Sequence, residues 1–310
     1  MQPDNSFEAL VNPGEASNFF DIVNLAEFNP ASNGAYDRTN ALWLAEFCRL
    51  IYRQEGDEVP RPATFVTRAA FLRLKGWREA AFFNQGGTQA AILVKDQVCA
   101  SLVFRGTLGL KDAITDAEIL PVAWPLGGNV HSGFKAAFDA VWDAIQKVLH
   151  DLKLPIFFTG HSLGAALATL AASQARNDPS MVPSSPAALY TFGSPRVGDK
   201  AFGGTLKGLF HCRVVNDEDL VPTVPPVFPI AGVTFRHTGQ MHLLGPDGHL
   251  HIFPPDSDSI EVRSPMSGSV DLVRSLDGLL AGLRAFRIEP PPPLRDHSPV
   301  NYTARLEAAA

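Results

Sequence analysis

Cysteine is scarce in this chain: Cys48, Cys99 and Cys212 are the three among 310 residues, and no two stand as C-x-x-C. So small and odd a set excludes a disulfide framework, allows at most one internal bridge and supplies no zinc or redox motif. The expected state is three reduced thiols, with Cys99 and Cys212 buried in the apolar runs QVCASLVF and LFHCRVV. Long apolar runs are missing as well. No stretch approaches the roughly 18–20 residues needed to cross a bilayer, so no transmembrane segment is expected. The first residues, MQPDNSFEALVNPGEASNFF, lack a basic start followed by an apolar core. That predicts a cytoplasmic protein or one exported by a non-classical route. Basic residues are outnumbered, 26 Lys and Arg against 32 Asp and Glu for a net charge of −6, which argues against nucleic acid as a partner.

What is present is ordinary globular chemistry. Hydrophobic residues make up 45% of the chain and charged residues 19%, enough for one large core. The chain is read as a single domain over 1–310, opening with an Asn-, Pro- and Gly-rich N-terminal arm at 1–35. Helical spacing is expected over 38–53 and 63–74. Three strand-like runs follow, WREAAFFN, TQAAILVK and QVCASLVF, separated by turns that suit hairpins. Residues 131–152 read as a long amphipathic helix. Beyond it, strand-like runs (IFFT, AALYTFG, CRVVN) alternate with helices at 163–176 and 198–209. That alternation predicts an α/β fold with a mostly parallel sheet covered on both faces. A hairpin over 234–253 and a helix over 268–286 complete the expected elements.

Within IFFTGHSLGAALATL, Ser162 lies between Gly160 and Gly164 at a strand-to-helix junction. Gly-x-Ser-x-Gly alone is weak evidence, since composition produces it in roughly one chain in ten of this length. The apolar strand before it and the small-residue helix after it make it specific. A turn sharp enough to expose the serine at the strand's C-terminal end requires small residues two positions to either side. A helix N-cap explains the serine but not both glycines. Ser162 is therefore a candidate nucleophile, and the N–H of Leu163, next after it, is an oxyanion donor by geometry.

A serine hydroxyl needs a base, and the base an orienting acid, in the chain order Ser, acid, His. Downstream acids cluster at Asp217, Glu218 and Asp219, just past the strand CRVVN. Downstream histidines are His237, His242, His249, His251 and His297; the first four alternate with apolar residues in the hairpin region. The PPPP at 290–293 predicts a stiff extended segment ahead of His297.

TGHSLGAALATLAA resembles the nucleophile segment of the class 3 lipases, the fungal triacylglycerol lipase family. FRGT (104–107), VHSGF (130–134), YTFGSPRVGDKAF (190–202) and VVNDEDLVPTVPP (214–226) fit that family in the same order. The resemblance covers roughly residues 75–300. It implies an α/β-hydrolase fold with a lid helix and a serine carboxylic ester hydrolase acting on acylglycerols. Short-chain or feruloyl-type esterase and phospholipase A1 are the enzyme alternatives, and a lipid-binding pseudo-hydrolase the non-enzyme one. It selects Asp219, which precedes Leu-Val-Pro, as the acid and His297, in an Asp-His segment, as the base. It makes the N–H and hydroxyl of Thr107 the second half of the oxyanion hole. The partners it implies are a lipid or other ester substrate and, transiently, a lipid interface; no metal or cofactor is called for.

The family places its lid between FRGT and VHSGF, here about residues 108–126. Leu110, Ala113, Ile114 and Ala117 fall on one helical face there. Ala113 stands where fungal lipases often carry a tryptophan. The smaller apolar face implies weaker interfacial binding and leaves an esterase open.

Overall fold

A computed structural model describes residues 1–55, 61–62, 64–106, 120–181, 186–255 and 289–309. Its centre is an eight-stranded sheet. Strands β1 (Arg78–Gln85), β2 (Thr88–Lys95) and β3 (Cys99–Phe104) form an antiparallel meander. A separate short hairpin pairs β4 (Pro121–Ala123) with β5 (Asn129–His131). β3 then pairs in parallel with β6 (Ile156–His161), β6 with β7 (Pro186–Phe192), β7 with β8 (His211–Asn216) and β8 with β9 (Gln240–Leu244). β10 (Leu250–Phe253) closes the edge as a hairpin with β9. The resulting order is β1-β2-β3-β6-β7-β8-β9-β10.

Side-chain alternation explains why both faces are covered. Along β3, Cys99 and Val103 enter one core, while Ala100, Leu102 and Phe104 enter the other. Helices α4 (Ser132–Leu152) and α5 (Leu163–Arg176) cover the second face. α4 buries Phe134, Phe138, Val141, Trp142, Ile145 and Leu149, one stripe at helical spacing. The first face carries α2 (Arg38–Leu50) and the C-terminal α8 (Pro299–Ala308), which pack on each other. Short helices α1 (Phe7–Val11), α3 (Arg68–Leu74), α6 (Lys200–Gly204) and α7 (Pro292–Arg295) fill the remainder. No helix among the described residues is long and apolar enough to cross a membrane. All three cysteines are free and buried.

The N-terminal arm packs on the sheet: Phe19, Phe20, Ile22 and Phe28 are buried, and Phe28 meets Phe157 edge-on, the ring centroids 4.8 Å apart. Four large apolar groups outweigh the turn-rich composition around them. Within the range expected for the lid region, residues 121–123 pair as β4. The proline run is not wholly extended, because Pro292 and Pro293 open α7 after an extended Pro291. Proline suits a helix's first turn, where its missing N–H has no acceptor to lose. The helix expected over 268–286 lies outside the described residues.

Candidate active site

Ser162 stands between the last residue of β6 and the first of α5, with φ 59° and ψ −129°, and is 3% exposed. A non-glycine residue held there is strained, and such strain concentrates at functional sites. The flanking glycines show how it is held. A Cβ on Gly160 would strike the backbone of Gly164 and lie 2.6 Å from the N of Ala165. A Cβ on Gly164 would strike the Phe104 carbonyl and lie 2.8 Å from the carbonyl carbon of Arg105. The strand, the helix and the end of β3 therefore touch backbone to backbone. The Ser162 N–H donates to the Phe192 carbonyl at 3.0 Å, tying the turn to β7. Leu163 opens α5, so its N–H belongs to a first turn without intrahelical acceptors.

His297 lies in the link between α7 and α8, 2% exposed, and Asp219 follows β8, fully buried. The imidazole Nδ1 is 2.9 Å from both carboxylate oxygens. Facing an acceptor, Nδ1 carries the proton and leaves Nε2 with its lone pair. Nε2 is buried without a hydrogen-bond partner among the described residues. The hydroxyl-to-imidazole bond is thus not made here, although such bonds often tighten only around substrate. The YTFG segment has its own part: a Cβ on Gly193 would lie 2.8 Å from Asp219 Oδ2 and 3.1 Å from His297 Nδ1.

The carboxylate has two further donors. The Val221 N–H donates to Oδ1 at 2.9 Å and the Tyr302 hydroxyl to Oδ2 at 2.6 Å. Burial, and then the charge of Asp219, hold the Tyr302 phenol well above its ordinary range, so it remains a donor. Tyr302 is not legible in the sequence, since a tyrosine five residues past the histidine in NYTARL carries no mark of its role.

The remaining candidates have other partners. Asp217 faces Arg305, its Oδ2 3.4 Å from Nη2. His237 bonds the Pro222 carbonyl at 2.7 Å, the His242 ring packs tilted against Tyr36 with centroids 4.5 Å apart, and His251 pairs with Asp247 at 2.9 Å; His249 is exposed. Thr107, Leu110, Ala113, Ile114 and Ala117 lie outside the described residues.

Arg305 ties the loop after β8 to the segment that carries His297. Its Nη1 donates to Asn216 Oδ1 at 2.7 Å and lies 3.7 Å from Asp296 Oδ2. The Asn216 side chain donates to the Asp296 carbonyl at 2.8 Å, and the Leu220 N–H to that of Pro293 at 3.2 Å. Burial pushes the Asp296 carboxyl up to about 6, against the pull of Arg305. A carboxyl raised on folding binds more protons folded than unfolded between its two values, so its contribution to stability falls as pH rises through that window. Asp296→Asn removes the ionisable group. The stability of this variant relative to wild type is expected to be higher at pH 7 than at pH 5. Urea denaturation of both proteins at the two pH values checks this, and an equal difference at both contradicts it.

Residues 101–228 match the family model described as Lipase (class 3). The lipase of Rhizomucor miehei is 36% identical over 148 residues, 45% of this chain and 40% of that protein. A solved structure of the triacylglyceride lipase of that organism aligns with a TM-score of 0.53 at 28% identity, covering 64% of this chain and 79% of the other. The secreted mono- and diacylglycerol lipase 1 of Fusarium solani is 36% identical over 149 residues, 45% of this chain and 42% of that protein. The phospholipase A1-II 6 of Oryza sativa subsp. japonica is 30% identical over 226 residues, 60% and 54% respectively. The chain therefore spans about two fifths of the length of the first two curated relatives. The matched stretch contains the elbow that strains Ser162, the glycines that enforce it and the carboxylate that holds His297. Over these residues the chain is similar to the class 3 lipases, and its fold is that of an α/β-hydrolase.

Proposed function

We propose that this protein is a serine ester hydrolase that cleaves acylglycerols, with Ser162, His297 and Asp219 as its triad. One observation carries the reading: a buried imidazole held by a buried carboxylate, its free nitrogen unpaired, on the same strand-end face as a strained serine. Ser162 Oγ attacks the ester carbonyl carbon while His297 Nε2 takes the hydroxyl proton. Asp219 keeps the tautomer and stabilises the imidazolium that forms. The Leu163 N–H, with the N–H and hydroxyl of Thr107, binds the oxyanion; losing one such donor costs about 10²–10³ in turnover. The intermediate collapses, and the alcohol leaves with the proton from His297. Water activated by the same nitrogen then releases the acid.

We extend the reading to a lid whose apolar residues, Leu110, Ala113, Ile114 and Ala117, meet the lipid surface. The named activities of the fungal relatives support acylglycerols as substrate; the rice relative's name supports phospholipid as the second reading. Three buried, unpaired thiols mean that the fold requires no oxidising compartment.

A fluorophosphonate is expected to label Ser162 covalently, read by mass spectrometry of the tryptic peptide, and to leave Ser162→Ala unlabelled. Emulsified triolein is expected to be cleaved faster than p-nitrophenyl butyrate. No labelling refutes the hydrolase, and faster release from phosphatidylcholine than from triolein moves the substrate to phospholipid.

A further inference from the structure

His161, immediately before Ser162, is buried at 2% exposure and makes two hydrogen bonds. Its Nε2 lies 2.7 Å from the backbone carbonyl oxygen of His297, and its Nδ1 lies 3.2 Å from the hydroxyl of Tyr52. The hydroxyl in turn accepts from the Gly106 N–H. Tyr52 is itself buried. Gly106 leaves room for it: a Cβ there would strike the Tyr52 oxygen and lie 2.8 Å from the His161 carbonyl oxygen and 3.1 Å from Ser162 Cβ.

The direction of every bond in this chain follows from donor and acceptor chemistry. A carbonyl only accepts, so His161 Nε2 carries the proton. The neutral ring then accepts at Nδ1, so Tyr52 donates there. The tyrosine oxygen is left to accept from Gly106. The chain thus runs one way, from the segment that leads to Thr107, past the nucleophile elbow, to the residue that carries the base. It holds only while His161 is neutral, because a proton on Nδ1 would turn an acceptor into a donor against the tyrosine. Burial, and then the neighbouring His297, hold the His161 imidazole well below its ordinary range. The two rings lie 4.5 Å apart between centroids, so a charge on His161 would oppose the cation that His297 must become. Tyr302 is the further ring against His161, at 5.7 Å, and is neutral; Arg105 is the cation facing Tyr52.

We propose that Tyr52 and His161 are positioning residues for the reaction: their one-way hydrogen-bond chain fixes the His297 backbone and so sets where its Nε2 stands above Ser162. The proposal rests on the triad reading. It adds two residues that touch neither substrate nor the reacting atoms. Tyr52 comes from the end of α2, far in sequence from every motif of the site.

Three variants test it on p-nitrophenyl butyrate, beside fluorophosphonate labelling of each. Tyr52→Phe removes one hydroxyl and is expected to lower kcat about 10-fold with KM unchanged. His161→Leu removes both bonds and is expected to lower kcat by about 10². His161→Gln keeps an amide donor towards the His297 carbonyl and is expected to recover most of that loss. Labelling of Ser162 is expected to slow in the same ranking. Wild-type kcat in folded Tyr52→Phe overturns the proposal, as does equal loss in His161→Gln and His161→Leu or a change confined to KM. If wild type itself fails to label, it is the triad reading that fails.

Discussion

Asp219→Asn is expected to lower kcat by about 10⁴-fold, the scale on which a triad loses activity when its histidine is held in the wrong tautomer. The environment of Asp219 dictates that outcome. The carboxylate accepts from three groups: Val221 N–H at Oδ1, the Tyr302 hydroxyl at Oδ2, and His297 Nδ1 at 2.9 Å from both. An asparagine has a single acceptor oxygen. Directed at either Val221 or Tyr302, it turns its amino group towards the other, and because Nδ1 lies 2.9 Å from both positions that amino group faces His297 in either setting. An imidazole meeting N–H donors is driven to accept at Nδ1 and to carry its proton on Nε2, where it has no lone pair for the Ser162 proton. The side chain is nearly isosteric, so KM and the unfolding midpoint are expected to change far less than kcat. Steady-state kinetics on p-nitrophenyl butyrate, with a thermal melt of the same sample, checks the prediction. A loss below 100-fold in a folded variant would show that Asp219 does not orient the base.

Gly160→Ala is expected to cost more than about 4 kcal/mol of stability, beyond the range of ordinary single substitutions. The added methyl has no room. It would meet the Gly164 carbonyl group and lie 2.6 Å from the N of Ala165, and all of these are backbone atoms of the first turn of α5. A flexible side chain could swing aside; a helix start bonded to the strand before it cannot. The elbow must open, and Ser162 must leave the backbone conformation that the junction imposes on it. A fall in melting temperature on the order of 10 °C is expected, with fluorophosphonate labelling lost. Gly34→Ala is the control, because its Cβ would meet nothing within 4 Å. Equal melting temperatures for the two variants would contradict the steric account.

Local patterns in the chain were sufficient for most elements. The run TQAAILVK is β2 to the residue, and helix 163–176 is α5 to the residue, because period and small-residue content are local properties. The strained turn at Ser162 is legible for the same reason, since both glycines that enforce it lie within two residues of the serine. The packed N-terminal arm was not legible, because its turn-rich composition is local while the partners of Phe28 are distant. The helical start of α7 was missed because proline suits both an extended chain and a helix's first turn.

By itself the sequence determined an α/β sheet, a serine at a strained strand-to-helix turn, and a short set of acids and histidines able to serve it. Tertiary structure decided which of these meet. His297 and Asp219 are separated by 78 positions and bridged by a hydrogen bond, while Asp217, two residues away, is drawn off by Arg305. Tyr52, His161, Tyr302 and Arg305 acquire their roles only in the fold. Periodicity records which face of an element is buried, whereas a hydrogen bond between remote side chains depends on the strand order that brings their loops together.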